Sequence, residues 1–188
     1  MTAPTRKETA VFGGGCFWCT ESVFSMLRGV QSVTSGYSGG TKVAPTYEEV
    51  SSGTTSHAEV VRIEFDPKHI SFTNLLTVFF ATHDPTTKNR QGNDVGTQYR
   101  SVVFYTNQAQ QEEAKRFINR LNASSTEGPP IVTEIVSFTH FYEAEAYHQN
   151  FYKENQQNQY CEIIINPKLQ KVQKQFAELL KDSSKGVY

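Results

Sequence analysis

The run Gly13-Gly14-Gly15 constrains this chain more than any other stretch. It follows "TAVFG" (9–13), which reads as a short buried strand, and precedes residues 16–27, where apolar positions fall at helical spacing. Three consecutive glycines weaken the interior of a strand or a helix, so they mark a tight loop between the two. A strand turned tightly into a helix is the opening of a layered α/β or α+β domain, with helices covering a sheet. The first residue after the loop is Cys16, and Cys19 follows one helical turn later.

Downstream, "GVQSVTSGYSGGT" (29–41) is a strand punctuated by glycines, and "APTYEEVSSGTTSH" (44–57) is a polar connection with at most one helical turn. "AEVVRIEFD" (58–66) alternates as a strand closed by Asp66-Pro67. "SFTNLLTVFFATH" (71–83) predicts a helix capped by Ser71, with Leu75, Leu76, Phe79 and Phe80 inward. Residues 83–98 show no periodicity, and a loop of that length in a compact domain is commonly functional or disordered. A strand (99–106), a charged surface helix (107–124), a strand (131–138) and a helix (144–155) follow. Leu169, Val172, Phe176, Leu179 and Leu180 predict a terminal amphipathic helix over 167–181, packed on the domain. Pattern alone leaves the strand order open.

A length of 188 residues suits one domain spanning 1–188. With 18 basic and 19 acidic residues and no block of either sign, no nucleic-acid or acidic-membrane surface is indicated. The first residues lack the apolar stretch of a secretion signal, and no segment reaches the about 18 apolar residues of a membrane span. A soluble cytoplasmic protein is the expectation. Three cysteines are odd in number and too few for a disulfide scaffold, so they serve as reduced thiols in packing or in chemistry.

A thiol reacts as thiolate, and its pKa of about 8.5 falls at a helix N-terminus, where unpaired amides carry partial positive charge. Cys16 is placed for that, with glycines that let a ligand approach; equally, Thr20, Val23, Phe24 and Leu27 continue its spacing as they would behind a small core residue. Phe17 and Trp18 are core packing or the wall of an apolar pocket. Cys16 and Cys19 form C-x-x-C, a redox pair or half a zinc site; zinc needs two further ligands, and only Cys161 and five unclustered histidines remain. The glycines lack the third glycine of a dinucleotide loop and the lysine of a P-loop. Glu59 shares a strand face with Val61, Ile63 and Phe65, so its carboxyl either enters apolar surroundings, which would make it a proton donor at neutral pH, or stays solvated at the strand end.

Seven segments together, "GGGCFWCTE", "GYSGG", "PTYEEV", "SGTTSHAEVV", "HDPTT", "RQGNDVGTQYRS" and "FYEAEAYHQNFY", resemble the type A methionine sulfoxide reductases, in order from about residue 9 to residue 161. The resemblance implies a two-layer α/β sandwich around a mixed sheet, ferredoxin-like in its core, with extended terminal segments. It implies reduction of the S-epimer of methionine sulfoxide, free or in proteins, as repair of oxidised protein, without metal or organic cofactor. By similarity, Cys16 attacks the sulfoxide sulfur, Glu59 protonates the oxygen, and Tyr47 and Tyr99 hydrogen-bond it. Asp94 organises substrate and water, and Phe17 and Trp18 clamp the methyl group. Cys16 is left as a sulfenic acid that a second thiol closes to a disulfide, which thioredoxin or another dithiol reduces. Relatives often carry resolving cysteines in a glycine-rich tail, whereas here an apolar run and a helix follow Cys161. Cys161, behind the polar "KENQQNQ", is the preferred resolving thiol and Cys19 the alternative. The expected molecule is a monomer. The competing readings are a thiol–disulfide oxidoreductase acting through C-x-x-C, which needs no acid at Glu59, and a redox-sensing or zinc-binding module, which metal analysis of the purified protein would reveal.

Overall fold

A computed structural model describes residues 7–125 and 128–185. The glycine junction closes strand β1 (Glu8–Gly14) and opens helix α1 (Phe17–Ser25), as the spacing predicts. Strand β2 (Val30–Ser38), the five-residue helix α2 (Tyr47–Ser51) and strand β3 (Ala58–Phe65) follow. Helix α3 (Phe72–Thr82) starts at Ser71 in a reciprocal capping box with Asn74. Then come the hairpin β4 (Arg90–Gln91) and β5 (Asp94–Val95), strand β6 (Ser101–Tyr105), helix α4 (Gln108–Ser124), strands β7 (Glu134–Ser137) and β8 (Tyr142–Glu143), and helices α5 (Phe151–Glu154) and α6 (Asn166–Gln175).

The main sheet runs β7-β6-β1-β3-β2-β8. Its four central strands are antiparallel, and with α1 and α3 they form a β-α-β-β-α-β unit of ferredoxin-like plan. α4 carries the chain across to β7, which pairs parallel to β6, so the sheet is mixed. One face bears the main core. Phe12, Val61, Ile63 and Phe65 of the sheet meet Phe17, Val23 and Phe24 of α1, Leu75, Leu76 and Phe79 of α3, and Leu169 and Val172 of α6. The opposite face holds a smaller cluster of Val11, Ala58, Val60, Val102 and Phe104 under Phe138 and Phe141. Among the described residues no helix is long and apolar enough to cross a membrane.

Three local expectations are revised. Residues 144–155 form no continuous helix: a 3-10 turn (Ala146–His148) and the single turn α5 replace it. Gln149 spends its amide on the Ser35 N–H and on the Ser35 and Ala144 carbonyls, and Asn150 turns left-handed (φ 53°) so that its N–H reaches the Glu21 carboxylate. These tertiary bonds outweigh helical spacing. The 83–98 loop contains the β4–β5 hairpin and a 3-10 turn (Thr97–Tyr99). The apolar run after the third cysteine is a π-helical turn, Cys161–Ile165, continuous with α6. That helix ends at Gln175, and its predicted last turn is a 3-10 turn (Ala177–Leu179) that brings buried Leu180 to Leu27.

A Cβ at Gly14 would sit 2.9 Å from Phe79 Cε2 and 3.2 Å from His83 Cγ, ring atoms of packed side chains. Gly14→Ala is therefore expected to destabilise the fold by about 1–3 kcal/mol through overpacking, measured by urea denaturation.

Candidate active site

Strand β1 delivers the chain to the N-terminus of α1, and Cys16 is the residue immediately before its first turn (φ −56°, ψ 124°). Gly15 has φ +97°, and a Cβ there would lie 2.6 Å from Gln91 Cγ. The glycine thus lets the β4–β5 hairpin close over the helix end and hold Asp94 beside it. From the neighbouring strand, the Glu59 side chain enters the same junction and accepts the Phe17 N–H at 3.1 Å through Oε2. Glu59 is 2% exposed, on the face shared with Val61, Ile63 and Phe65. Burial pushes its carboxyl up to about 8 against the bond from Phe17, with the Asp94 and Cys19 charges adding to the rise. It is a protonated acid at neutral pH.

Tyr47 opens α2 and Tyr99 ends the 3-10 turn after the hairpin; both phenols are half-buried. Burial first, and then the charges of Glu59 and Cys16, push both above the ordinary phenol value, so they remain hydrogen-bond donors. Asp94 is half-buried and its carboxyl is raised by burial. Cys16, Glu59, Tyr47, Tyr99 and Asp94, spread over 84 positions of sequence from 16 to 99, thus act on one another at one site. The two aromatics differ in role. Phe17 is 1% exposed and packs against Tyr37 and His148, whereas Trp18 is half-exposed, stacked on Phe151 at 3.6 Å.

The thiols depart from expectation in one respect. A helix N-terminus would favour Cys16 as the thiolate, yet its thiol is pushed well above the usual value by its hydrogen bond to Cys19, then by burial and by the negative charge of Cys19 and Glu59. Cys19 is drawn down to about 7 by the hydrogen bond from Cys16, against burial, with the Lys168 charge and Tyr160 adding. The physical reason is twofold: the first free amide of α1 is committed to Glu59, and two neighbouring thiols give up one proton easily and a second with difficulty. Cys161 is fully buried in the π-helical turn, its thiol raised by burial and by the charge of Cys19. The groove of about 580 Å³ in front of α1 is lined by Cys16 and Cys19 together with Asp94, Tyr160, Ile164 and Lys168.

Sequence reasoning assigned no role to Glu145, His148 or Tyr160. Glu145 accepts the Tyr47 N–H at 2.8 Å and the Tyr37 hydroxyl at 2.7 Å, fixing the start of α2. His148 accepts the Trp18 indole N–H on Nδ1 at 3.1 Å. The Tyr160 hydroxyl lies 3.7 Å from Cys19 Sγ and donates to Asp94 at 3.5 Å. The available signal was polar residues interleaved with aromatics in 141–152 and a tyrosine next to Cys161. Among the described residues no group of three or more His, Cys, Asp or Glu side chains is arranged to hold a metal ion.

The model of the peptide methionine sulfoxide reductase family matches residues 8–180. The chain is 52% identical over 175 residues to the peptide methionine sulfoxide reductase MsrA of Chromobacterium violaceum, covering 93% of this chain and 99% of that protein. The corresponding protein of Acinetobacter baumannii (strain SDF) is 53% identical, with the same coverage. Among solved structures, Mxr1 from Saccharomyces cerevisiae in reduced form superposes with a TM-score of 0.76 at 32% identity, over 86% of this chain and 92% of that one. Methionine sulfoxide reductase A of Corynebacterium diphtheriae gives 0.73 at 33%, over 83% and 78%. Mxr1 solved in complex with Trx2 shares the fold at 23% identity, with a TM-score of 0.54 over 80% and 88%.

Glu59 binds its proton more tightly folded than unfolded, so stability should fall as pH rises from about 4.5 through about 8. Glu59→Gln removes that cost. Its stability relative to the parent should rise between pH 5 and pH 9 by up to roughly 4 kcal/mol, read by urea denaturation.

Proposed function

The chain belongs to the peptide methionine sulfoxide reductase family, and from that premise we propose how its residues carry the reaction. Its substrate is the S-epimer of methionine sulfoxide, free or in oxidised proteins, and the activity is repair. The observation that carries the reading is a buried carboxylic acid hydrogen-bonded to the backbone amide of the residue after Cys16. A sulfoxide oxygen leaves sulfur only if it is protonated, and an acid raised to about 8 is charged with its proton at working pH. Glu59 gives that proton to the oxygen while the Cys16 sulfur attacks the sulfoxide sulfur; its own proton passes to the Cys19 thiolate. The Tyr47 and Tyr99 hydroxyls donate to the same oxygen, and Asp94 orients water at the groove. Trp18 forms the exposed apolar wall for the methyl group, with Phe17 behind it. With the proton taken from Cys16 the oxygen leaves as water, and a water attacking the Cys16 sulfur breaks its bond to the substrate sulfur and returns a proton to Glu59, so that sulfoxide and thiol become methionine and a Cys16 sulfenic acid.

The second thiol then attacks the sulfenic sulfur, forming a disulfide and releasing water. We assign this step to Cys19 rather than to the initially preferred Cys161. Both thiols are buried, but Cys19 lines the groove with Cys16, its N–H bonds the Cys16 carbonyl at 3.2 Å within one turn, and its thiol is drawn down to about 7, whereas Cys161 is not among the residues lining that groove and its thiol is raised. A dithiol protein of the thioredoxin class reduces the disulfide by exchange, as the Mxr1–Trx2 complex suggests by analogy. We take residues 1–188 as one catalytic domain, monomeric and cytoplasmic, using no metal or organic cofactor.

A thioredoxin-coupled assay on separated epimers should show turnover of the S-epimer alone, abolished in Cys16→Ser and reduced by at least about 100-fold in Glu59→Gln. Turnover of a model protein disulfide that survives Glu59→Gln, with no S-epimer activity, would instead mark a plain thiol–disulfide oxidoreductase. For the second step, peptide mapping after one turnover should recover a Cys16–Cys19 linkage. Cys19→Ser should lose recycling while still releasing one methionine per chain, and Cys161→Ser should recycle; the reverse pattern would return the role to Cys161.

A further inference from the structure

Cys19 sits in a strongly acidic neighbourhood. Facing it are the Cys16 thiol from its own helix start, the Tyr160 hydroxyl and Cys161 from the π-helical turn, Asp94 from the hairpin and Glu59 from β3. Behind it, a cavity of about 10 Å³ is lined by Gly14, Thr20, Phe79, Thr82 and His83. His83 brings no charge: its Nδ1 bonds the Phe79 carbonyl, its Nε2 bonds Ser101 Oγ at 2.7 Å, and burial lowers it to about 4. A thiolate among carboxyl, thiol and phenol groups needs a counter-charge, and these neighbours supply none.

Lys168 supplies it. The residue lies in the first turn of α6, between the buried anchors Ile165 and Leu169 that hold the helix on the core. It is half-buried, and with Cys19 it lines both the groove of about 580 Å³ and the small cavity of about 10 Å³, so the two residues border the same two spaces. Among the described residues it has no ion-pair partner within 4.0 Å. A lysine in that setting is an uncommitted positive charge beside a thiol, as in other sites where a cation favours thiolate. We propose that Lys168 is the counter-cation of Cys19 and a positioning residue for closure of the Cys16–Cys19 disulfide. The inference rests on the assignment of Cys19 as resolving thiol. In the balanced step, the Cys19 thiolate forms the new S–S bond, the S–O bond of the Cys16 sulfenic acid breaks, and the departing hydroxide takes a proton to become water. Lys168 touches neither sulfoxide nor the oxygen; it acts through Cys19.

The test separates the two halves of the reaction. Enzyme without reductant is mixed with excess S-sulfoxide, and methionine release and loss of free thiols are followed separately from pH 6 to pH 9.5. In Lys168→Met, disulfide closure should slow by about fivefold at pH 7 and recover towards the parent rate at pH 9.5, the effect of moving the Cys19 thiol from about 7 to about 8. Methionine release, which uses the Cys19 thiolate as acceptor of the Cys16 proton, should slow in the same direction at pH 7, and Lys168→Arg should restore both steps. Equal closure rates and pH profiles in parent and Lys168→Met would overturn the proposal. A second readout does not depend on which thiol resolves: ultraviolet thiolate absorbance titrated in Cys16→Ser, with and without Lys168→Met. The Cys19 midpoint should rise when the lysine is lost, and an unmoved midpoint overturns the proposal even if mapping finds Cys19 in the disulfide. If mapping finds Cys16–Cys161 while the midpoint still rises, the resolving assignment fails and the counter-cation stands.

Discussion

The hydrogen bond from the Phe17 amide to the Glu59 carboxyl holds the site together. It joins the first turn of α1 to the start of β3, and so places an acid beside the residue that begins the helix. The same contact sets the chemistry. Burial keeps the proton on Glu59, and occupation of the Phe17 N–H removes the leading amide that would otherwise have favoured charge on Cys16. A site that donates a proton and a site that holds a free thiolate are in tension when both groups are buried together, because each negative charge raises the cost of the other.

The resolution lies one helical turn away. The hydrogen bond from Cys16 draws the Cys19 thiol down to about 7, and Tyr160 and Lys168 line the groove beside it. Both come from the stretch between Tyr160 and the start of α6, whose π-helical turn buries Cys161 and Ile165 and presents Ile163 and Ile164 outward. That stretch completes the wall opposite the hairpin, so the C-terminal segment is part of the site and not only a cover for the core.

Much of this was legible in particular residues. Alternation in 58–66 placed Glu59 on the apolar face, because a strand's period of two leaves a side chain no other side to take. Ser71 and Asn74 announced the start of α3 through local capping chemistry. The helix expected over 144–155 failed because Gln149 and Asn150 bond to Ser35 and Glu21, more than 100 positions earlier, and spacing carries no record of such partners. The polar stretch before Cys161 carries no sign of its burial, which comes from the π-helical turn packing into the main core. Lys168 was an ordinary surface lysine by pattern, distinguished only by what faces it.

Residue pattern sufficed for most of the elements, the tight strand-to-helix turn, a cysteine at its end, the acid on the buried face of β3 and, through seven linked motifs, the resemblance to the family. Local propensity and side-chain period suffice for those, since each is settled within a few residues. Only folding brought Asp94, Tyr160 and Lys168 to the groove that Cys16 and Cys19 line, and buried Cys161. Charge state in a buried site is set by the sum of desolvation and neighbours brought from distant segments, and that sum exists only once the chain is folded.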